Sequence, residues 1–248
     1  MEKHFGLIGQ SLKHSFSQNF FTEYFEKKSI SAAYQNVELE NADDLHAFFQ
    51  KDIFNFSGLN VTIPYKEIVI PFLTTLTPEA QAIGAVNTIK IVDNQLIGHN
   101  TDAFGFHQSI KPFLTNQHEK ALIFGTGGAS KAVAYVLKKI GIEVLYVSQS
   151  KTGNLIFPYD AVNEYMLKAC KLLVNTTPIG MFPNVHESID IPYHFLTPEH
   201  LVVDLIYNPK ETQFLQQAKN QNSMTLNGLT MLKEQALESW KFWNDDHA

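Results

Sequence analysis

The chain of 248 residues is 44% hydrophobic and 18% charged, with 13 Gly and 10 Pro, a composition that excludes intrinsic disorder and collagen-like repetition. A net charge of −6, with no basic run longer than Lys27-Lys28 or Lys138-Lys139, excludes the electrostatic footprint of a nucleic-acid binder. The single cysteine, Cys170, excludes an internal disulfide or a Cys-based zinc cluster, and without a signal-peptide pattern or an apolar run of ~18 residues the expectation is a cytoplasmic protein that does not span a membrane.

In chain order, His4 to Gly9 reads as a strand and Ser17 to Lys28 as a helix whose aromatic stripe, Phe20, Phe21, Tyr24 and Phe25, belongs to the core. Tyr34 to Leu39 is a second strand. Asn41 caps a helix through Leu45, Phe48 and Phe49, and Ser57 to Ile63 is a third strand that stops at Pro64. Asn87 to Val92 and Gln95 to Gly98, joined by Asp93-Asn94, form a hairpin. The first hundred residues therefore mix strand directions. From Asp102 the alternation becomes stricter: a helix to Leu114, the strand Lys120 to Phe124, a glycine turn at 125–128, a helix from Ala129 to Ile140 and the strand Glu143 to Ser148. A helix at Ala161 to Ala169, strands at Lys171 to Asn175 and Leu201 to Leu205, a helix at Glu211 to Asn220 and a strand at Ser223 to Leu226 continue the pattern. Gly228 opens a closing helix through Leu232, Ala236 and Trp240. The expected fold is α/β in two domains: an N-terminal mixed-sheet domain, 1–101, with the helix 228–243 packing back on it, and a Rossmann-like parallel-sheet domain, 102–227.

Gly125-Thr126-Gly127-Gly128-Ala129-Ser130 follows a strand and opens a helix, where glycines let a pyrophosphate approach backbone N–H groups at the positive helix end. This context favours dinucleotide binding over a plain tight turn. The second strand of that unit ends at Val147-Ser148-Gln149 without an acid for a ribose 2′-hydroxyl, which weakens NAD and leaves NADP open. The loops beginning Asn175-Thr176-Thr177-Pro178 and Asp204-Leu205-Ile206-Tyr207 also follow strands and are placed to edge a cofactor, or are ordinary turn chemistry.

Lys66, after Pro64, can serve as a general acid or base, or be a surface lysine. Asp102 can be its partner, or an acid at a helix start. His14-Ser15-Phe16-Ser17 offers two hydroxyls before a helix, with Ser17 as its plain N-cap in the simpler reading. None of the ten histidines has a metal-binding spacing, so no metal is expected, and Cys170 reads as a packing residue. All 19 basic residues are lysine. Any bound anion is therefore held by lysine, hydroxyls, amides or backbone N–H groups, never by a guanidinium fork.

From Gly6 to about Trp240 these segments resemble the shikimate dehydrogenase family. The matching stretches are Ile8-Gly9 with His14-Ser15-Phe16-Ser17, Asn60-Val61-Thr62-Ile63-Pro64-Tyr65-Lys66, Gly84-Ala85-Val86-Asn87-Thr88, Asn100-Thr101-Asp102, the turn from Gly125 to Ser130, Asn175-Thr176-Thr177-Pro178, and Gly228 with Met231-Leu232 and Gln235. The resemblance implies reversible NADP-linked reduction of 3-dehydroshikimate to shikimate in aromatic amino-acid biosynthesis. It implies a substrate domain, a cofactor domain and a cleft between them. By position it makes Lys66 and Asp102 the proton-transfer pair, Ser15 and Ser17 the carboxylate ligands, Thr62, Asn87 and Gln235 the ligands of the ring hydroxyls, and Tyr207 a neighbour of the carboxylate. It assigns NADP to Gly125, Gly127, Gly128, Ala129, Ser130, Thr176 and Gly228.

Two departures stand out. Gln18 replaces the family's usual proline, and Ser148-Gln149-Ser150-Lys151 stands where an arginine commonly meets the 2′-phosphate, which leaves Lys151 as the nearest cation. The partner expected is a small molecule, with no nucleic acid and no membrane, for a monomer or homodimer. A quinate/shikimate dehydrogenase, a folate-linked dehydrogenase or a non-catalytic metabolite-binding protein would share parts of this pattern.

Overall fold

The computed structural model describes residues 2–13 and 15–245, so His14 lies outside the described residues. The chain divides into two compact units, Met1–Thr101 with Ala236–Ala248, and Asp102–Gln235.

In the first unit, β1 (Lys3–Gly9) is buried over its last five residues, as a strand covered on both faces must be. It pairs in parallel with β2 (Ala32–Glu38) and β3 (Gly58–Val61) on its two sides. Between them run α1 (Phe16–Lys28) and α2 (Ala42–Lys51). Asn41 caps α2 through its side-chain oxygen, which accepts the N–H groups of Asp43 and Asp44. Beyond β3, residues unassigned by periodicity form the two-residue β4 (Thr75–Leu76) and the six-residue α3 (Pro78–Ile83). Both are too short for a periodic signal, although Thr77 as cap, Pro78 in the first turn and Gly84 at the end punctuate α3. The hairpin β5 (Thr88–Val92) and β6 (Gln95–His99) turns at Asp93 and Asn94, both at positive φ (49° and 58°), as a tight two-residue turn requires. The sheet order is β2-β1-β3-β5-β6-β4, with β5 antiparallel to β3 and β6. Mixed direction is thus observed.

Alternation along β1 divides the core of this unit. Phe5 and Leu7 join Phe21, Phe25, Tyr34, Phe242 and Trp243, whereas Ile8 joins Leu45, Phe48, Phe49, Ile53 and Leu59 on the other face.

The second unit opens with α4 (Thr101–Ile110), which starts at the boundary. The helix expected to reach Leu114 ends at Ile110 and passes into a 3-10 turn at Lys111–Phe113, because Pro112 donates no N–H and disfavours α geometry at the residue before it. Then follow β7 (Lys120–Phe124), α5 (Gly128–Lys139), β8 (Glu143–Val147), the short edge strand β9 (Ile156–Phe157), α6 (Glu164–Ala169), β10 (Leu172–Asn175), β11 (Leu201–Asp204), α7 (Gln213–Asn220) and β12 (Met224–Leu226). The helix expected from Ala161 begins later, because Asn163 caps α6 at Glu164 after a 3-10 turn at Tyr159–Ala161. All six strands are parallel, in the order β12-β11-β10-β7-β8-β9.

The last helix, α8 (Leu229–Asn244), is shared between the units. The pattern assigned all of 228–243 to the first domain, but the division falls between Gln235 and Ala236. Its first turns pack so tightly on Gly105 of α4 that a Cβ there would lie 2.5 Å from the Met231 carbonyl oxygen. Its last turns place Trp240 and Trp243 against the Phe5 ring at 5.4 and 4.7 Å, and the Trp243 indole N–H donates to the Ile89 carbonyl at 3.0 Å.

Candidate active site

In the first unit, the expected site residues lie on segments that leave one end of the sheet. Ile8 registers with Val61, Asn60 with Thr88, and Thr88 with His99, so the C-terminal ends of β1, β3 and β6 and the start of β5 coincide. From this end emerge residues 10–13, Thr62 to Lys66, Asn87, and Asn100-Thr101. Backbone bonds tie these together. Thr62 N–H donates to Ile8 O (2.8 Å), Val61 N–H to Asn87 O (2.8 Å), and Val86 N–H to Lys66 O (2.7 Å). Lys66 and Thr62 are half-buried and Asn87 is buried.

Ser15, not Ser17, is the N-cap of α1: its hydroxyl accepts the Gln18 N–H, and the helix starts one residue before Ser17. Ser17 is buried within the first turn, beside the Tyr34 phenol. Burial holds the Tyr34 phenol well above its ordinary pKa, so it remains a hydroxyl.

Beneath the expected site lies a polar cluster that residue patterns did not reveal. Tyr34 OH donates to Asn60 Oδ1 at 2.9 Å, and Asn60 Nδ2 donates to Ser239 Oγ at 2.9 Å and Thr88 Oγ1 at 3.2 Å. Ser239 Oγ is 2.9 Å from Thr88 Oγ1 and 3.0 Å from Thr101 Oγ1. Asn87 Oδ1 receives Thr101 N–H at 2.7 Å, with the Thr88 and Thr101 hydroxyls at 3.1 and 3.2 Å. Thr88, Thr101 and Ser239 are all 0% exposed. Asn60 and Ser239 are separated by 179 positions, and no local signal joins them.

His99, just before Asn100, bonds Thr77 through Nδ1 at 2.8 Å and stacks on Phe242 at 4.6 Å. Burial, with the Lys241 charge second, pushes its pKa down to about 4.

In the second unit, Gly125 at φ +106° could carry a side chain only with strain, and its Cβ would lie 2.6 Å from Thr176 Oγ1. Thr176 is held there by its hydroxyl bond to Phe124 O at 2.6 Å. Gly127 is the N-cap of α5 without a side-chain cap, and a Cβ on it would meet nothing within 4 Å, so open space faces the uncapped helix start. The donor set is that of an anion cradle. The Ser130 hydroxyl donates to Gly127 O at 2.7 Å and is 1% exposed, so its side chain holds the turn from within. Lys151 folds toward the same turn, its Nζ 3.5 Å from Thr126 O and its backbone N–H on Ser148 Oγ. A depression of about 650 Å³ beside Ser148 and Gln149 is walled by Tyr159, Pro192 and Asp190. An uncapped helix start facing open space, with a lysine beside it, fits the phosphate groups of a dinucleotide, while Asp160 and Asp190 line the depression beside Ser148 and Gln149.

Asp204, fully buried, joins two loops of this unit. It accepts Asn175 Nδ2 (3.1 Å), Ile206 N–H (3.0 Å) and Thr212 Oγ1 (2.6 Å), and burial raises its pKa to about 6 against the lowering effect of these bonds. Asn175 in turn accepts the Thr177 N–H and hydroxyl. The loops carrying Thr176 and Tyr207 are thus fastened to one another. Gly228 bonds Ile206 O through its N–H, and a Cβ on it would come 1.9 Å from Leu205 O. Gln235 is buried and donates to Leu232 O, and Asp102 is buried in the first turn of α4. Lys66 and Asp102 belong to different units.

Cys170 is 0% exposed, and burial raises its thiol pKa to about 11, which suits packing. No group of three His, Cys, Asp or Glu able to hold a metal occurs among the described residues, and no helix there is long and apolar enough to cross a membrane.

Residues 7–89 match the shikimate dehydrogenase substrate binding domain. The chain is 36% identical to the NADP(+) shikimate dehydrogenase of Carboxydothermus hydrogenoformans, covering 96% of this chain and 90% of the relative. The solved shikimate dehydrogenase of Aquifex aeolicus superposes with a TM-score of 0.85 at 32% identity, covering 98% of this chain and 92% of the other. That of Thermus thermophilus, determined with NADP(H) and shikimate, superposes with a TM-score of 0.83 at 30% identity and covers 98% and 93%. With a near full-length match in sequence and in backbone, the chain belongs to the shikimate dehydrogenase family.

Proposed function

We propose that this chain catalyses the reversible, NADP-linked reduction of 3-dehydroshikimate to shikimate in aromatic amino-acid biosynthesis. Near full-length relatives that are NADP(+) shikimate dehydrogenases support the reaction and the cofactor. The observation that carries the reading to particular residues is the gathering of Gln10, Thr62, Lys66 and Asn87 at one end of the first sheet. The first unit binds substrate and the second binds NADP. The enzyme works in the cytoplasm as a monomer or homodimer on a small-molecule substrate, without nucleic acid or membrane.

Ser15 and Ser17 donate to the substrate carboxylate, a role left to hydroxyls in a chain without arginine. Tyr207 lies on the carboxylate side, and Thr62, Asn87 and Gln235 orient the ring hydroxyls. Lys66 and Asp102 move the proton at the oxygen on C3. Gly125, Gly127, Gly128 and Ala129 cradle the pyrophosphate, Ser130 holds that turn, Thr176 and Gly228 line the cofactor loops, and Lys151 neutralises the 2′-phosphate. When bound, NADPH supplies the hydride. The protein's own contribution is orientation and the proton.

The decisive assay follows NADPH absorbance during shikimate oxidation, with quinate, NAD and methylene-tetrahydrofolate as controls. Turnover of shikimate with NADP is expected. Shikimate binding without turnover, or turnover confined to quinate or to the folate, overturns the assignment.

A further inference from the structure

We infer that Asp204 is a positioning residue for the loop 205–211, which carries Tyr207, and that it holds this loop only as a carboxylate; the inference rests on the place proposed for Tyr207 beside the substrate carboxylate. One side chain grips the loop at both ends. Asp204 Oδ1 accepts the N–H of Ile206, the residue before Tyr207, at 3.0 Å, and Oδ2 accepts the hydroxyl of Thr212, the N-cap of α7, at 2.6 Å. Other bonds tether the loop to neighbouring segments through its carbonyls: Gly228 N–H on Ile206 O, Phe182 N–H on Asn208 O and Asn227 Nδ2 on Lys210 O. None of these three engages the Ile206 N–H or the Thr212 hydroxyl, so the turn that leads from β11 into Tyr207 is closed by the carboxylate.

The need for a charge follows from the donors. Asn175 Oδ1 accepts the Thr177 N–H, so Nδ2 is the atom that meets Asp204, at 3.1 Å. The Ile206 N–H can only donate. Thr212 Oγ1 accepts the Leu215 N–H as a cap, and its own proton goes to Asp204. Three donors therefore meet two oxygens where Asp204, Asn175, Ile206 and Thr212 are all buried from water. A proton added to the carboxyl group has no free acceptor in this shell. On Oδ1 it displaces Ile206 or Asn175, and on Oδ2 it displaces the Thr212 proton or leaves it unpaired. Burial raises the pKa of Asp204 to about 6 against these bonds, so the shell is complete at neutral pH and opens in mild acid. Tyr193, which faces Asp204, keeps its proton throughout, because burial foremost and the charges of Asp190 and Asp204 hold its phenol above the ordinary range. Glu211, beside Thr212, is paired with Lys219 at 3.0 Å. Thr176 stands apart from this response, since its N–H and hydroxyl both donate to Phe124 O.

The test measures the shikimate KM at saturating NADP, from about pH 8 to about pH 5, in the parent, Asp204→Asn, Thr212→Val, Thr212→Ser and Tyr207→Phe, each below its melting temperature. In the parent the shikimate KM is expected to rise roughly tenfold as pH falls through 6, the scale of one buried hydrogen bond to a charged group. Asp204→Asn, which sets a donor where an acceptor is needed, is expected to show that higher KM already at neutral pH and no further rise in acid, with its neutral-pH NADP KM within about twofold of the parent's. Thr212→Val removes a bond to the ionised form, so its rise is expected at higher pH than the parent's, and Thr212→Ser is expected to restore the parent's profile. A shikimate KM in the parent that stays level into acid, or an acid rise that persists in a folded Asp204→Asn, overturns the inference. Should Asp204→Asn not fold, a rise at the parent's pH in Thr212→Val overturns it equally. An unchanged shikimate KM in Tyr207→Phe instead overturns the assignment of Tyr207 to substrate, and the inference with it.

Discussion

Lys66 is held by its backbone, since its carbonyl accepts the Val86 N–H directly before Asn87. Truncating its side chain leaves that backbone bond in place. Lys66→Ala is expected to lower kcat by roughly 10²–10⁴-fold, the range for losing a general acid or base, with much less change in shikimate KM. A kcat near that of the parent would remove Lys66 from the proton transfer. Lys151 is exposed and touches the glycine turn through one carbonyl, so in the role proposed for it the amine would meet the 2′-phosphate as a point charge. Lys151→Ala is expected to raise the NADP KM and to leave NAD kinetics almost unchanged. The selectivity of the parent, measured as the ratio of kcat/KM for the two cofactors, should shrink as salt screens the contact. Equal loss with both cofactors would show that Lys151 does not read the phosphate.

At the scale of elements, Gly228 joins the β11 loop to the start of α8 at a separation no side chain tolerates. Gly228→Ala is expected to destabilise the protein by about 1–3 kcal/mol, read as a lowered urea midpoint, because the obstacle is a backbone carbonyl that cannot rotate away. What the sequence disclosed about such elements followed the physics of each signal. Asn41 before an apolar run and Asp93-Asn94 between alternating strands are local devices, and both were legible. Pro112 was legible in principle as a helix stop, yet the apolar pattern through Leu114 obscured it. The glycine turn could be read because a strand, a turn and a helix follow one another within a short span. Ser15 and Ser17 could be found but not ranked, since capping depends on which residue first adopts helical geometry. Ser239 and Tyr34 could not be found at all, because their meaning lies in a partner brought by the fold.

Across the whole molecule, two titratable groups, half-buried His99 and buried Asp204, respond to acid in opposite directions. His99 is neutral in the fold with a pKa near 4 against 6.5 for the ordinary side chain. Its stabilising contribution is complete above pH 6.5 and is lost as pH falls toward 4, about 2 kcal/mol of it by pH 5. Asp204 has a folded pKa near 6, raised from 3.8, so its ionisation costs the fold stability as pH rises through 6, and about 1 kcal/mol returns between pH 7 and 5. His99→Gln is expected to lose less stability than the parent on acidification from pH 7 to 5, and Asp204→Asn to lose more. Urea denaturation at the two pH values checks both; parallel curves for parent and variants would contradict the assignments.

The division of α8 between the units has a consequence for synthesis on the ribosome. The second unit is a continuous stretch, whereas the first needs its opening strands and the residues from Ala236 onward. Phe242 and Trp243, part of the aromatic core around Phe5, are made only after the whole of the second unit. The unit whose strands precede the other in translation is therefore completed after it. A nascent chain stalled with residue 235 just outside the exit tunnel is expected to resist protease within 102–235 while its first hundred residues remain cleavable. Release of the last helix should then protect those residues, so the order of synthesis and the order of folding are opposed.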